Sequence, residues 1–146
     1  MNSKRFYITT PIYYASGRPH LGHAYCTVLC DVLKRFKRLF GHEVFFSTGM
    51  DEHGQKIEKN AKESGISPQD FVDNISINFK QLWQKLNINY DVFIRTTEQY
   101  HIDNAQKTFS KMLKKGDIFL ENIPGGMVLI VKLFGQKDRL EKKKNV

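Results

Sequence analysis

His20 and His23 stand three residues apart where a Pro- and Gly-bearing loop gives way to helical periodicity. At that spacing two side chains share one face of a first helical turn. A helix start offers backbone N–H groups and the positive end of a dipole, both suited to a phosphate. Two imidazole donors placed there could stabilise charge on a phosphate in its transition state. Gly22 between them removes a side chain where a flat ring would approach the backbone. The pattern is neither a Gly-rich dinucleotide fingerprint nor a Walker lysine loop. Two histidines at a helix start are more often an ordinary surface pair, and spacing alone leaves both readings open.

Asp51, Glu52 and His53 form a second polar group, directly after an apolar run. An acid there could receive a ligand ammonium group through a charge-assisted hydrogen bond. For Glu52 a solvated turn is the preferred reading. A rival assembly takes His20, His23, Asp51 and His53 together as ligands of a metal-dependent hydrolase. Against it, the His20–His23 spacing is not that of a helical His-x₃-His pair, and no residue stands out as a water-activating Glu.

The elements that must position these residues alternate in type. Arg5–Thr10 is β-branched and aromatic and stops at Pro11, as a short buried strand does. Pro11–His20, with Pro11, Gly17 and Pro19, is a loop. Leu21, Tyr25, Val28, Leu29, Val32, Phe36 and Leu39 then repeat at helical spacing, and Gly41 ends the helix. Glu43–Thr48 is a second strand, followed by a polar loop over Gly49–Gly54 and a helix from about Gln55 to Ser64. Ser67-Pro68-Gln69-Asp70 is a helix start with a Ser cap, Pro in first position and an acid in the first turn. That helix puts Phe71, Ile75, Phe79, Leu82, Trp83 and Leu86 on one face. Tyr90–Arg95 is extended, and a last helix runs from about Thr97 to Lys115 with Ile102, Ala105, Phe109, Met112 and Leu113 inward. Strands alternating with helices predict an α/β fold with a largely parallel sheet. Ligands bind such a sheet outside the carboxyl ends of its strands, where both polar groups fall.

The chain has 146 residues, 40% of them hydrophobic and 12% aromatic, which suits one globular domain with a sizeable core. Its net charge of +8 favours phosphate-bearing partners, although much of the excess lies in the tail from Lys137 onward, a solvated run. Cys26 and Cys30 are the two cysteines; without a second pair they support no zinc site and read as reduced thiols. No apolar run has the length of a membrane span and no signal-peptide core is present, so a cytoplasmic protein with no membrane partner is expected.

Longer runs are more specific than any of these motifs. Phe6-Tyr7-Ile8-Thr9-Thr10-Pro11-Ile12-Tyr13-Tyr14-Ala15-Ser16-Gly17 and Pro19-His20-Leu21-Gly22-His23-Ala24-Tyr25 resemble the N-terminus of bacterial methionyl-tRNA synthetases, a class I aminoacyl-tRNA synthetase family. Val44-Phe45-Phe46, Thr48-Gly49, Asp51-Glu52-His53-Gly54-Gln55-Lys56-Ile57, Phe93-Ile94-Arg95-Thr96-Thr97-Glu98 and Gly116-Asp117-Ile118 continue the likeness in register. The resemblance implies the first half of a Rossmann-like nucleotide-binding domain, truncated, over residues 1–115. It implies ATP (with Mg²⁺, as substrate), L-methionine and tRNA(Met) as partners. By the same resemblance His20 and His23 are catalytic, and His20, Gly22 and His23 bind ATP. Ile12 and Tyr14 line the methionine side chain, and Asp51 binds the amino group. The family's Lys-Met-Ser-Lys-Ser signature is absent, so little activity is expected of this chain alone. A second polypeptide carrying the missing half, or a non-catalytic nucleotide-binding remnant, are the corresponding expectations.

Residues 116–146 are expected to begin the family's connecting insertion, and from about Ile123 the likeness stops. The apolar run there suits a strand or a buried helix end equally. Val131–Lys137 can be encoded as GTG AAA CTT TTT GGA CAG AAA, which from its third base reads Glu-Thr-Phe-Trp-Thr-Glu, a run the family carries. Met127-Val128 can hide Trp-Tyr in a different frame. A frameshifted tail is therefore expected, and codons incompatible with that reading would exclude it.

Overall fold

A computed structural model describes residues 4–118 and the backbone of 126–128 and 133–135. The elements are β1 (Lys4–Thr9), β2 (Tyr13–Tyr14), α1 (Leu21–Leu39), β3 (His42–Asp51), α2 (Gln55–Glu63), α3 (Pro68–Lys85), β4 (Val92–Arg95), α4 (Gln99–Lys115), β5 (Gly126–Val128) and β6 (Leu133–Gly135). The chain divides into two units, residues 1–106 and 107–146.

The first unit is the parallel α/β arrangement that the alternation of strands and helices predicts. β3 lies at the centre, with β1 and then β2 along one side and β4 on the other, all parallel. Register pairs Phe6 with Val44, Tyr7 with Phe45 and Tyr14 with Asp51. One sheet face carries Phe46 and Met50 into a core with Tyr13, Ala15, Ile57, Val72, Ile75, Phe79, Trp83 and Ile88. Trp83 and Phe79, both fully buried, come from α3. That helix starts as its sequence predicts, with Ser67 Oγ accepting the Asp70 N–H at 3.0 Å.

β3 runs through Gly49, Met50 and Asp51, where the composition predicts a loop. Two neighbours hold this end as a strand. β2 pairs with Met50 and Asp51 on one side, and β4 pairs with Ser47–Met50 on the other. Gly49 lets β4 come this close, since a Cβ there would lie 2.2 Å from the Ile94 carbonyl oxygen and 2.9 Å from its carbon. Gly49→Ala is expected to cost at least about 3 kcal/mol, the upper range for overpacking, because backbone rather than a flexible side chain must yield. Chemical denaturation followed by circular dichroism measures it; a loss under about 1 kcal/mol, a well-tolerated substitution, would show that β4 shifts freely.

α1 forms where periodicity places it, but its buried residues are Thr27, Asp31 and Lys34. The apolar stripe from Leu21 to Leu39 faces outward: Leu21 is 84% exposed and Phe36 50%. These three buried polar groups of α1 are all matched, Thr27 donating to the His23 carbonyl. Lys34 Nζ donates to Asn89 O and to Asp91 Oδ2, both at 2.7 Å. Asp31 accepts from Arg35 Nε at 2.6 Å and from the Asn89 N–H at 3.1 Å. Helix burial here follows these ion pairs rather than the apolar stripe.

α4 likewise buries none of its residues, so Ile102, Ala105, Phe109, Met112 and Leu113 do not point into a core as expected. In the second unit the helix closes at Gly116, whose φ of +81° suits glycine, and the Asp117 N–H donates to Met112 O at 3.0 Å. β5 and β6 pair antiparallel. The frameshift expected over 123–146 otherwise lies outside the described residues. Among the described residues, no helix is long and apolar enough to cross a membrane.

Candidate functional site

The loop after β1 and the start of α1 close on themselves through the two histidines. His20 is the N-cap, and its Nδ1 accepts the Gly22 N–H at 3.1 Å. His23 Nδ1 accepts the His20 N–H at 3.0 Å. This is a capping box built from imidazoles in place of the usual hydroxyl and carboxylate. With both Nδ1 atoms accepting, each neutral ring carries its proton on Nε2, leaving two Nε2–H donors. The rings stack, with centroids 3.7 Å apart. A Cβ on Gly22 would lie 3.0 Å from His20 Cε1, so glycine at this position makes room for the capping ring. The helix start is thus less open than a bare terminus: the Gly22 N–H is already engaged, and the outward donors are imidazole.

Behind His23 stands Tyr13, which composition does not single out. Its ring meets His23 edge-on at 4.8 Å and stacks on Phe79 at 5.8 Å, and its hydroxyl is 2.9 Å from Thr27 Oγ1. Burial pushes the Tyr13 hydroxyl up to about 12, so it stays protonated. Burial, and then the neighbouring His20, lower the pKa of His23, favouring the neutral ring.

A cleft of about 570 Å³ opens beside this pair, lined by Ile12, Tyr14, His20 and His23 among others. Four of the residues selected from the sequence therefore line one cleft. Arg18 and Lys56 also line it, two cations that sequence reasoning missed and that only the folded loop brings together. Ile12 and Tyr14 are 42% and 68% exposed. Asp51 is not in the cleft lining, but it pairs with Tyr14 in register, and its carbonyl accepts the Ala15 N–H at 3.0 Å.

Glu52 is not a solvated turn. Its side chain is 0% exposed and its Oε1 takes Arg95 Nε at 2.7 Å, while Thr97 donates to its other oxygen. Arg95 also pairs with Asp73 of α3, and the Glu52 N–H donates to Thr96 Oγ1 at 2.8 Å. These bonds tie the ends of β3 and β4 together immediately beside Asp51. The signal was available only as an acid, an Arg and two threonines far apart in sequence. His53 Nε2 lies 3.3 Å from Thr96 O, and no group of three His, Cys, Asp or Glu among the described residues could hold a metal ion. The hydrolase cluster of His20, His23, Asp51 and His53 does not assemble.

Parallel strands with a site at their carboxyl ends and helices crossing between them define one half of an open α/β nucleotide-binding fold. A family model described as tRNA synthetases class I (M) matches residues 6–129, and the chain belongs to that family. The methionine–tRNA ligase of Streptococcus pyogenes serotype M18 is 59% identical over 122 residues, 84% of this chain and 18% of that protein. The methionine–tRNA ligase of Ureaplasma parvum serovar 3 is 57% identical over 120 residues, 82% of this chain and 23% of that protein. Among solved structures, Mycobacterium tuberculosis methionyl-tRNA synthetase in complex with methionyl-adenylate superposes with a TM-score of 0.84 at 36% identity, covering 92% of this chain and 26% of that one. The chain thus spans about a fifth of the length of the curated relatives it matches.

Proposed function

We propose that this chain supplies the His20/His23 side of the activation site of a cytoplasmic methionine–tRNA ligase, and that turnover needs the remainder of the protein, from a second polypeptide where the chain does not itself carry it. The reading rests on the cleft that joins the imidazole pair to Ile12 and Tyr14. A methionine carboxylate oxygen attacks the α-phosphorus of ATP, presented with Mg²⁺. A P–O bond forms, the bond to the β-phosphate oxygen breaks, and pyrophosphate leaves. The tRNA(Met) 3′-terminal hydroxyl then attacks the carbonyl, and AMP departs.

His20 and His23 donate Nε2–H to phosphate oxygens as charge builds on them. Gly22 keeps the first turn clear for the His20 ring. Asp51 accepts from the methionine ammonium, held in place by β2 and by the Glu52–Arg95 ties. Ile12 and Tyr14 flank the thioether chain, and Arg18 and Lys56 add positive charge at the cleft.

The test has two arms, both reading methionine-dependent ATP–pyrophosphate exchange. The 146 residues alone are expected to show none, and exchange by them would overturn the claim that the remainder is needed. A chimera with residues 6–118 in place of the matching segment of the Streptococcus relative is expected to exchange. A folded but inert chimera would sink the functional reading.

A further inference from the structure

We propose that Tyr13 is a positioning residue for His23: its ring holds the imidazole in its stack with His20, and its hydroxyl ties β2 to the first turns of α1. This rests on the functional reading above and adds the residue that sets where one phosphate donor stands.

Ile12 and Tyr14 are exposed, while Tyr13 between them is 8% exposed and belongs to the core, as alternation along an extended segment requires. There it meets the imidazole. The His23 ring has three ring neighbours: His20 stacked at 3.7 Å, Tyr13 at 4.8 Å and 65° to its plane, and Phe79 at 5.1 Å. His20 is exposed, so the support from within comes from Tyr13 and Phe79. Phe79 in turn stacks on Tyr13 at 5.8 Å, which leaves Tyr13 backing both rings. A ring edge against a ring face is a directional contact, and it resists rotation as a shapeless apolar filler does not.

The hydroxyl fixes Tyr13 in turn. Thr27 Oγ1 donates to the His23 carbonyl at 2.9 Å, which leaves that oxygen free to accept the Tyr13 hydroxyl, also 2.9 Å away. The direct path from Tyr13 to the His23 carbonyl is longer, 3.4 Å. Two bonds in series thus run from the Tyr13 O–H through Thr27 to the main chain of the residue whose ring Tyr13 touches. Tyr13 is itself held by β3, where it pairs with Met50, and the next residue, Tyr14, pairs with Asp51. One short strand therefore sets the spacing between the groups proposed to hold methionine and the Nε2–H proposed to meet phosphate. A misplacement on the order of 1 Å in such a spacing costs about 10² in rate. The neighbouring His20, Arg18 and Lys56 are untouched by substitution at Tyr13, so a change in His23 reports the lost contact.

Tyr13→Leu removes ring and hydroxyl, while Tyr13→Phe keeps the ring. Both are read by nitrogen chemical shifts of His23 in the 146-residue chain and by pyrophosphate exchange in the chimera. With Leu, the Nδ1 and Nε2 shifts are expected to draw together as the two tautomers mix. The pKa of His23 should rise toward the roughly 6.5 of a free imidazole as its cover is lost. The kcat should fall roughly tenfold or more, with the KM for methionine and for ATP within about threefold of the parent. Phe is expected to recover the fixed Nε2–H form and most of kcat. A folded Leu variant with parental His23 shifts, or with parental kcat, overturns the proposal. So does a Phe variant as impaired as Leu, since the ring would then not be what holds His23. If Leu unfolds the chain by circular dichroism, Tyr13→Met replaces it, a flexible apolar filler with no ring face. The unaltered chain must also show cross-relaxation between the ring protons of Tyr13 and His23, and its absence overturns the proposal whatever the variants do. An unaltered chimera that does not exchange counts against the functional reading instead, while the His23 shifts still decide the role of Tyr13.

Discussion

Asp91→Ala should destabilise the fold by about 3 kcal/mol, the low end of the range for breaking a buried ion pair, because the Lys34 ammonium is buried while the Asp91 side chain is 27% exposed. Lys34 is 1% exposed, and its ammonium has two partners, the Asp91 carboxylate and the Asn89 carbonyl. The same carboxylate oxygen accepts the Phe46 N–H at 2.7 Å, and Arg38 lies 3.7 Å from the other oxygen. Alanine would leave the Lys34 charge with the Asn89 carbonyl alone, and the Phe46 N–H without its acceptor, at the joint of α1, β3 and β4. Asp91→Asn separates the two effects, since an amide oxygen can still accept the Phe46 N–H, and it should lose less. Acid supplies an independent check. Burial alone would raise the Asp91 carboxyl, but the hydrogen bonds from Lys34 and Phe46 and the charges of Lys34 and Arg38 hold it below its ordinary value. A carboxyl lowered on folding contributes stability that is full above the unfolded value of roughly 3.9 and is lost as pH falls through the folded value. The gap between parent and Asp91→Asn should therefore be widest near neutrality and narrow below about pH 4. Urea unfolding at the two pH values measures this, and a gap independent of pH would show that the charge is irrelevant.

The same pair marks where sequence reasoning reached its limit. Periodicity identified α1 because spacing is local, and it identified the apolar stripe correctly. It could not tell that the stripe faces outward, because the partners of Lys34 and Asp31 lie more than fifty residues along the chain, at Asn89 and Asp91. Glu52 failed for the same reason: an acid in a polar stretch looks solvated until Arg95 and Thr97 are brought over it. The end of β3 was missed because its strand character comes from β2 and β4 on either side. The histidine pair was legible because its geometry is made within four residues. Its place beside Ile12 and Tyr14 followed from the family likeness; the spacing of those residues carried no such signal. Local patterns thus gave the elements, while the buried charges that lock them together had to be seen in three dimensions.

In the chimera, His23→Ala should lower the exchange rate by about 10²–10³, the usual effect of deleting one donor aimed at developing charge. The cap alone is not enough to produce this. Removing a helix cap costs about 1 kcal/mol of stability, which leaves a well-folded protein folded. The fall should appear mainly in kcat, with the KM for methionine little changed, since Asp51, Ile12 and Tyr14, the residues proposed to hold methionine, remain. His20→Ala should do both things at once, because its Nδ1 holds the Gly22 N–H that starts the helix. The pH dependence separates donor from cap. Burial and His20 lower the pKa of His23, so the neutral, capped ring should persist into mild acid, below the roughly 6.5 of a free imidazole. Its contribution to stability is complete above that value and is lost as pH falls through the lower, folded one. Protonation would put a hydrogen on Nδ1 and break its bond from the His20 N–H. Activity and helix start should consequently fail together on the acid side. Nitrogen chemical shifts of His23 across the titration, set beside the exchange rate, test this directly. An Nδ1 found protonated at neutral pH would mean that the ring is not the Nε2–H donor on which this mechanism depends.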